Sequence, residues 1–170
     1  MRKYLLSIVM MLMTSLSLQA QSLDGYWMLV EKQDDAAMSV VLYFNGQDNI
    51  IQTVYTELED ESVGKIGVAF VAKDIPFKRK GNTLTFNFEA DKILVFLRKT
   101  EWNDQVKQKI AGDPALEEKY KQIYMNAFQQ QKSGMADAMF HGDIKIVSIT
   151  DNQLSLEYDD EVYDLEKQTD

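Results

Sequence analysis

Apolar and polar residues alternate along most of the first half of the chain, from residue 23 to residue 100. Alternation of period two places every second side chain on the same face of a strand, so each such run predicts a short β-strand. Turn-forming residues, including Asn45-Gly46 and Lys80-Gly81-Asn82, separate neighbouring runs. Residues 93–97 are apolar on both faces, which predicts a strand covered on both sides. The predicted strands cover residues 38–44, 50–58, 66–71, 83–89 and 93–97.

The period changes between residues 103 and 140, where apolar residues recur at steps of three and four. This spacing predicts an amphipathic helix after Asp113-Pro114, a pair typical of an N-cap followed by proline. Ser133-Gly134 is expected to end or bend that helix, and a shorter helix with Val106 and Ile110 is expected before it. The other face carries charges of both signs, which favours packing on the protein's own core over a membrane surface. The apolar stripe consists of Leu116, Tyr120, Ile123, Tyr124, Ala127 and Phe128.

Strand patterns return in the last part of the chain. Short turn signals at Asp151-Asn152 and Asp159-Asp160 join them. Together with the earlier runs they give eight or nine strands, about the number that a small closed barrel needs. We therefore predict a mainly β fold, an antiparallel up-and-down barrel of about eight strands with an α-helical insertion before the last strands. The last three strands are predicted at 143–149, 153–158 and 161–167.

The first 20 residues have the layout of a cleavable secretory signal. Arg2 and Lys3 precede an almost continuously apolar run at 4–18, and the small residue Ala20 follows it. The run is shorter than the roughly 20 residues that span a bilayer, so no membrane span is expected. Because no Cys is present, a lipid anchor on a Cys side chain is excluded. We predict a signal peptide at 1–20, a single barrel domain at 21–170 with its insertion at about 103–140, and a periplasmic or extracellular location for a protein that is not a lipoprotein.

The residues that open the first strand resemble a known family signature. Leu23-Asp24-Gly25-Tyr26-Trp27 is similar to the Gly-x-Trp motif of lipocalin-like (calycin) barrels, and particularly to the small exported proteins of this type from Bacteroides-type bacteria. The motif has a physical basis, since Gly25 permits tight entry into the barrel and Trp27 can plug its closed end with a large ring. The resemblance implies an antiparallel barrel whose interior can hold a small, largely apolar ligand.

The same resemblance raises a question about the cation near this tryptophan. Lipocalins commonly place an Arg near the chain end, stacked over the motif Trp. The last strand of this chain has Lys167 and no Arg, and Arg98 on another strand is the alternative. The helical segment also lies between strands, where it can cover one mouth of the barrel or pack on the outside.

Charge and composition narrow the range of partners. The 170 residues include 18 Lys and Arg against 27 Asp and Glu, a net charge of -9. Such a chain would repel a polyanion, so nucleic acid is not expected as a partner. With 45% hydrophobic residues the chain can fill a core, which excludes disorder, and without Cys it cannot be a disulfide scaffold.

Residues typical of catalysis are scarce. His141 is the only His, so a metal or haem site and a Ser-His-Asp triad lack their partners. Acidic clusters at Asp34-Asp35, 57–61 and 159–161 lack the spacing of a calcium loop and are typical of solvated turns. No Gly-rich phosphate loop is present. We therefore expect no metal, no cofactor and no enzyme activity.

Aromatic residues on the predicted strands are the remaining candidates for a site. They would give a cavity apolar walls with a few hydroxyl groups, although side chains alone can also fill an eight-stranded barrel. The first hypothesis is an exported binding protein that holds a small apolar or amphipathic ligand in the barrel. The alternative is an envelope interaction or inhibitor module that acts through the helical insertion and has a filled barrel. The candidate ligand-binding residues are Trp27, Tyr43, Tyr55, Phe70, Phe86, Phe88, Tyr158 and Tyr163.

Overall fold

Nine antiparallel strands form a single sheet in the computed structural model, which describes residues 22–29, 38–46 and 48–169. The predicted signal peptide at 1–20 and the acidic pair Asp34-Asp35 lie outside the described residues. The strands are β1 (Gly25–Leu29), β2 (Met38–Asn45), β3 (Asn49–Asp60), β4 (Gly64–Lys80), β5 (Thr83–Phe86), β6 (Leu94–Trp102), β7 (Gly142–Ile149), β8 (Gln153–Tyr158) and β9 (Glu161–Gln168). The helices are α1 (Asp104–Gly112), α2 (Ala115–Gln130) and α3 (Lys132–Asp137), and a 3₁₀ turn covers Ala90–Lys92.

Eight of these strands close into the predicted barrel. The sheet runs from β3 through β2, β1, β9, β8, β7 and β5 to β4, and β4 pairs with β3 to complete the circle. Apart from β6, which interrupts the order between β5 and β7, consecutive strands are neighbours, as in an up-and-down barrel. The prediction of a mainly β fold with a helical insertion before the last strands is confirmed.

The long strand β4 determines how the ninth strand joins the barrel. Its first part, Gly64–Val71, pairs with β6, and its last part, Phe77–Lys80, pairs with β5. The strands β5 and β6 therefore pair with successive parts of the same edge of β4, and residues 87–93 connect them. Residues 72–76 of β4 lie between these two pairings and have no strand partner on that side among the described residues.

The alternation read from the sequence separates the inner face from the outer face. In β2 the buried residues are Val40, Leu42 and Phe44, and they alternate with partly exposed residues. An inward-facing apolar side chain stabilises the fold by roughly 1.5–3 kcal/mol when fully buried. Alternation of period two therefore sets both the register and the content of the core.

The tryptophan of the family-like motif lies in the core of the barrel. Trp27 is fully buried, and its indole nitrogen donates a hydrogen bond of 2.6 Å to the Leu23 carbonyl. The Lys167 ammonium lies 5.1 Å from the centre of the indole ring, within range of a cation–π contact. Gly25 has φ of +114°, and a Cβ atom there would meet the Lys167 side chain at 3.0 Å. Lys167 on β9 is therefore the cation that covers the tryptophan.

The helical segment begins and ends close to the predicted positions. Asn103 caps α1, since its side chain accepts a hydrogen bond of 2.9 Å from the Val106 amide. Asp113 accepts one of 3.1 Å from the Ala115 amide, which fits its predicted capping role. The expectation for Ser133-Gly134 was wrong in detail: α2 ends at Gln130, and these two residues lie inside the short helix α3.

The helices belong to the hydrophobic core. Phe128 of α2 is buried, and its ring lies edge-on to Phe70 of β4 with the ring centres 6.2 Å apart. Tyr120 contacts the ring of Trp102 at 5.7 Å. Met139, just after α3, is fully buried. The helical segment thus closes the barrel between the end of β6 and the start of β7, rather than forming a separate outer layer.

The expectation that residues 93–97 form a strand covered on both faces was wrong. Val95 is buried, but Leu94 is 36% and Phe96 is 45% exposed. The helices explain this, because they contact the face of β6 that carries Trp102 and leave the other face open to solvent.

Candidate functional site

The structure divides the eight candidate aromatic residues among three places. Trp27, Phe70 and Phe86 point inward and are fully or almost fully buried in the core. Tyr43 and Tyr55 alternate with buried residues and lie on the outer face instead, so they do not line the interior. Phe88, Tyr158 and Tyr163 contact His141 or Phe140, where the helical segment meets β7. The aromatic candidates therefore do not form one site.

The two outward tyrosines have local packing roles. Tyr43 stacks on Tyr26, with ring centres 4.2 Å apart. Tyr55 lies over Gly67, where a Cβ atom would collide with its hydroxyl group. The absence of a side chain at Gly67 makes room for this tyrosine ring.

A second group of aromatic residues packs together where the helical segment meets β7. Phe140, at the end of the helical segment, makes edge-on contacts with Tyr158 at 5.4 Å and with Tyr163 at 5.2 Å. His141 Nδ1 lies 3.1 Å from both the Met139 carbonyl oxygen and the Tyr158 hydroxyl. Burial, reinforced by the negative charge of Asp159, raises the pKa of the Tyr158 phenol. The histidine is thus held by hydrogen bonds to the chain itself.

One polar side chain stands apart from this apolar core. Gln52 of β3 is fully buried, and it is the one polar residue among the buried side chains of the described part of the chain. It points inward between Ile50 and Val54. Neither its Nε2 nor its Oε1 has a hydrogen-bond partner among the described residues. Because buried polar groups in proteins are nearly always hydrogen-bonded, this unpaired amide is an exception that an ordered water or a ligand would explain.

The sequence itself contains a signal for Gln52, which is a polar residue on an otherwise apolar strand face. Residues 50, 52 and 54 occupy one face of a strand, and the middle residue of the three is a glutamine. A polar residue on an otherwise apolar face is an informative exception to the burial of hydrophobic residues. Its lack of partners depends on the flanking strands and can be seen only in the structure.

A β-bulge lies directly beside Gln52. Ile50 pairs with Ile75 and Gln52 pairs with Ala72, so two residues of β4 stand opposite the single residue between them on β3. Asp74, one of those two, has a φ of +55°, which is rare outside glycine. Bulges of this kind bend a strand and often occur next to functional sites.

A surface cleft of about 350 Å³ opens at the bulge. We call it the bulge cleft. It forms where β4 lacks a strand partner between β6 and β5 and where residues 87–93 bridge the gap. Ala72 lines it and also faces inward as the direct cross-strand neighbour of Gln52. Paired side chains on one face lie about 4.5–5.5 Å apart at Cβ. The lining residues are Ala72, Lys73, Asp74, Ile75, Pro76, Asn87, Phe88, Glu89 and Lys92.

The bulge cleft combines an apolar wall with a balanced rim. Ile75, Pro76 and Phe88 contribute apolar surface. Two lysines and two acids balance each other at the rim, and Lys92 forms an exposed ion pair of 3.0 Å with Glu89. Exposed ion pairs of this type contribute little to affinity or stability. The cleft therefore suits a mainly apolar molecule with hydrogen-bonding groups, rather than a strongly charged one.

In the described part of the chain, no group of three or more His, Asp or Glu side chains could hold a metal ion. None of the helices described is long and apolar enough to cross a membrane. Comparisons with known proteins found no match to a family model, a curated protein or a solved structure.

Proposed function

We propose that this chain is an exported, lipocalin-like binding protein that holds a small, largely apolar molecule at the bulge cleft. Gln52 lies behind Ala72 and outside the lining of the cleft, so the bound molecule can form hydrogen bonds with its amide only when the side chains around Ala72 move aside. The observation that carries the proposal is the fully buried amide of Gln52, which has no partner among the described residues. A binding site of this kind is mostly apolar, with a few polar groups that orient the ligand.

The free-energy cost of an unpaired buried amide favours a ligand-binding role over a structural role for Gln52. An unpaired buried amide destabilises a protein by about 1–3 kcal/mol, whereas an apolar residue of similar size would stabilise the barrel. A ligand that supplies the missing donor and acceptor removes this cost only in the bound state. Relief of this cost in the bound state adds to the free energy of ligand binding.

Two further features support the lipocalin-like and exported parts of the proposal. The closed barrel and the buried Trp27 support the lipocalin-like part, although the cation over the tryptophan is Lys167 where lipocalins commonly have an Arg. The basic start and apolar run at 1–18 support export. No catalytic step is part of the proposal.

Native mass spectrometry of the protein purified from its own host tests the proposal. We expect a fraction of the protein to carry one small molecule that organic extraction removes. Ala72→Leu, which places a larger side chain between the cleft and Gln52, should abolish the adduct. Ala111→Leu makes the same change at an exposed position of α1 and should leave it unchanged. Protein that is always empty would contradict the proposal.

A protein-interaction module remains a second candidate because of one specific observation. Ile123 of α2 is 61% exposed and Phe96 of β6 is 45% exposed, which leaves apolar surface on and beside the helical segment. Deleting residues 103–140 cannot test this function, since Phe128 and Met139 belong to the core. Ile123→Gln and Phe96→Gln are better variants. Loss of a co-purifying envelope protein in these variants, but not in Gln52→Leu, would favour the module.

A further inference from the structure

We infer that two copies of this chain associate through the outer surface of β3, β4 and β6, beside α2. The copies are related by a two-fold axis that passes near Phe96. This surface shares no residue with the bulge cleft, so the inference goes beyond the proposed function and is independent of it.

The outer surface of these three strands carries no charge along two rows of neighbouring residues. Cross-strand pairing gives the order Thr53, Val71 and Leu94 in one row, and Tyr55, Ala69 and Phe96 in the next. We call these six residues the uncharged face. Leu94 and Phe96 are exposed, although an outer strand face that meets water is normally polar.

The outer surface of β7, β8 and β9 shows the ordinary pattern. There Lys145 forms an ion pair of 2.7 Å with Glu157, and the Ser155 hydroxyl donates a hydrogen bond of 2.6 Å to Asp164. In a chain in which 26% of the residues are charged, the uncharged face is a local departure from this pattern. Contiguous apolar surface that lacks charged residues is typical of the centre of a protein interface.

Phe96 stands between two clefts. A cleft of about 280 Å³ lies on the side of β3 and β4, and one of about 340 Å³ lies on the side of α2. Each copy therefore offers both an exposed ring and a cleft beside it. In a two-fold interface the same surface meets itself, so the Phe96 ring of each copy can enter a cleft of the other.

The charges that line the two clefts are complementary. Arg98 lines the cleft at β3 and β4, and it has no ion pair or hydrogen bond among the described residues. On the other side of Phe96, Glu117 and Glu118 share the ammonium of Lys121 at 3.0 and 3.3 Å, which leaves one carboxylate in excess. Glu118 lines the cleft at α2. A two-fold axis near Phe96 exchanges the two sides, so Arg98 of each copy meets Glu118 of the other.

Contact between the faces is favoured over pairing of strand edges. In the described part of the chain β6 pairs with β4 alone, so its other edge has no strand partner. Arg98 is the extra residue of a β-bulge, since Lys99 pairs with Gly67 and Leu97 with Val68. Bulges and edge lysines both oppose the addition of another strand.

A membrane surface fits the uncharged face less well than a second copy does. Helices and faces that lie on membranes surround their apolar side with several Lys and Arg residues. Here the two clefts are lined by Arg98 and by Lys121, and Lys121 is already paired with two acids. The net charge of -9 does not prevent association of two copies, because charges on the remote sides of the barrels are separated by more than the Debye length of about 8 Å at physiological salt.

Sedimentation velocity of the protein purified from its own host tests the inference. We expect a reversible equilibrium of monomer and dimer with a Kd on the order of 1–100 µM, as for interfaces of modest size. Phe96→Gln should abolish the dimer. Ile123→Gln makes a comparable change at an exposed position of α2 that lines neither cleft, and it should leave the dimer unchanged.

Exchange of the two charges provides the decisive comparison, with folding checked by near-UV circular dichroism. Arg98→Glu and Glu118→Arg should each weaken the dimer by about tenfold or more, because each places like charges opposite one another at two symmetry-related positions. The double variant restores opposite charges and should recover the wild-type Kd to within about threefold.

Protein that stays monomeric at the highest soluble concentration would overturn the inference. A folded double variant that dimerises no better than the single variants would also overturn it. Monomeric protein that cosediments with phosphatidylglycerol vesicles would assign the uncharged face to a membrane instead. The small-molecule adduct in native mass spectrometry should be the same in Phe96→Gln as in wild type, so the proposed function and this inference fail separately.

Discussion

Replacing Gln52 by leucine should stabilise the ligand-free protein. Most substitutions in a protein core destabilise it, so an increase in stability would be a distinctive result. The change removes a buried donor and a buried acceptor that lack partners among the described residues, and it keeps a side chain of similar volume at an inward-facing position. The outcome therefore reports directly on whether the amide is unpaired.

The magnitude follows from the desolvation penalty. An unsatisfied buried polar group costs about 1–3 kcal/mol, and leucine adds favourable apolar burial. We expect the free energy of unfolding to rise by about 1–3 kcal/mol. For a chain of this size, each kcal/mol shifts the melting temperature by about 2–4 °C, so the shift is on the order of 2–12 °C upward.

Urea unfolding followed by far-UV circular dichroism is the appropriate assay, on protein freed of bound small molecules by extraction. The midpoint should rise while the dependence on urea concentration stays unchanged, since the exposed surface on unfolding is similar. Gln153→Leu makes the same change at an exposed position of β8 and should alter stability by less than about 0.5 kcal/mol.

A destabilised Gln52→Leu protein would refute the reasoning. A loss of 1 kcal/mol or more would mean that the amide is hydrogen-bonded in the free protein, to an ordered water or to a part of the chain outside the described residues. The buried amide would then be a structural element, and it would no longer support a ligand site.

Three further predictions concern the helical segment, the contact between Lys167 and Trp27, and the dependence of stability on pH. Phe128→Ala should lower the free energy of unfolding, measured in urea, by about 3–5 kcal/mol because the Phe128 ring is buried in the core. Ile123→Ala, at an exposed position of the same helix, should have little effect. Similar losses for both variants would contradict a closing role for α2. Lys167→Met should lower the free energy of unfolding by about 0.5–1 kcal/mol through loss of the cation–π contact, and Lys167→Arg should keep the wild-type stability in the same measurement. A methionine variant as stable as wild type would argue against the contact. Hydrogen bonds from the Ser62 side chain and amide lower the pKa of Asp60 from its ordinary value. The Asp60 carboxylate therefore contributes fully to folding stability above its unfolded pKa of about 3.9, and this contribution is lost as pH falls through the lower folded value. The stability difference between wild type and Asp60→Asn should be constant above about pH 5 and shrink below about pH 4, and a constant difference down to pH 2 would show that the carboxylate contributes nothing.

Strand positions could be predicted well where one face of the strand meets the core and the other meets water. The run at 38–44 became β2 (Met38–Asn45), and the run at 153–158 became β8 with the same bounds. In both strands, every second side chain must be removed from water, and this requirement produces the alternation of apolar and polar residues in the sequence. The start of α2 was predictable for a different reason, since the Asp113 side chain accepts a local hydrogen bond from the Ala115 amide.

Prediction was weaker where pairing across the barrel decides the structure. The run at 66–71 proved to be part of the 17-residue strand β4, which continues through the bulge to Lys80. That continuation contains Asp74 and Pro76, which locally favour a turn, and it is held as a strand by β3 and β5. The exposed ring of Phe96 likewise depends on which face the helices cover.

The candidate site shows the same division. Aromatic residues on strands were identified from the sequence, but their pattern alone could not assign Tyr43 and Tyr55 to the outer face, because that requires the register of β2 and β3. Gln52 could be noticed in sequence as a polar residue on an apolar face. Its isolation, and the cleft beside it, result from contacts between residues far apart in the chain.

By itself, the sequence determined that the chain forms a mainly β barrel with a helical insertion, since alternation and helical periodicity are local consequences of burying apolar side chains. The tertiary structure alone decided that the helices complete the core, that Lys167 covers Trp27, and that Gln52 is enclosed beside the bulge of β4. These features depend on long-range strand pairing and on the direction each strand takes after a bulge. The preference of each residue for helix, strand or turn does not determine which distant strands pair.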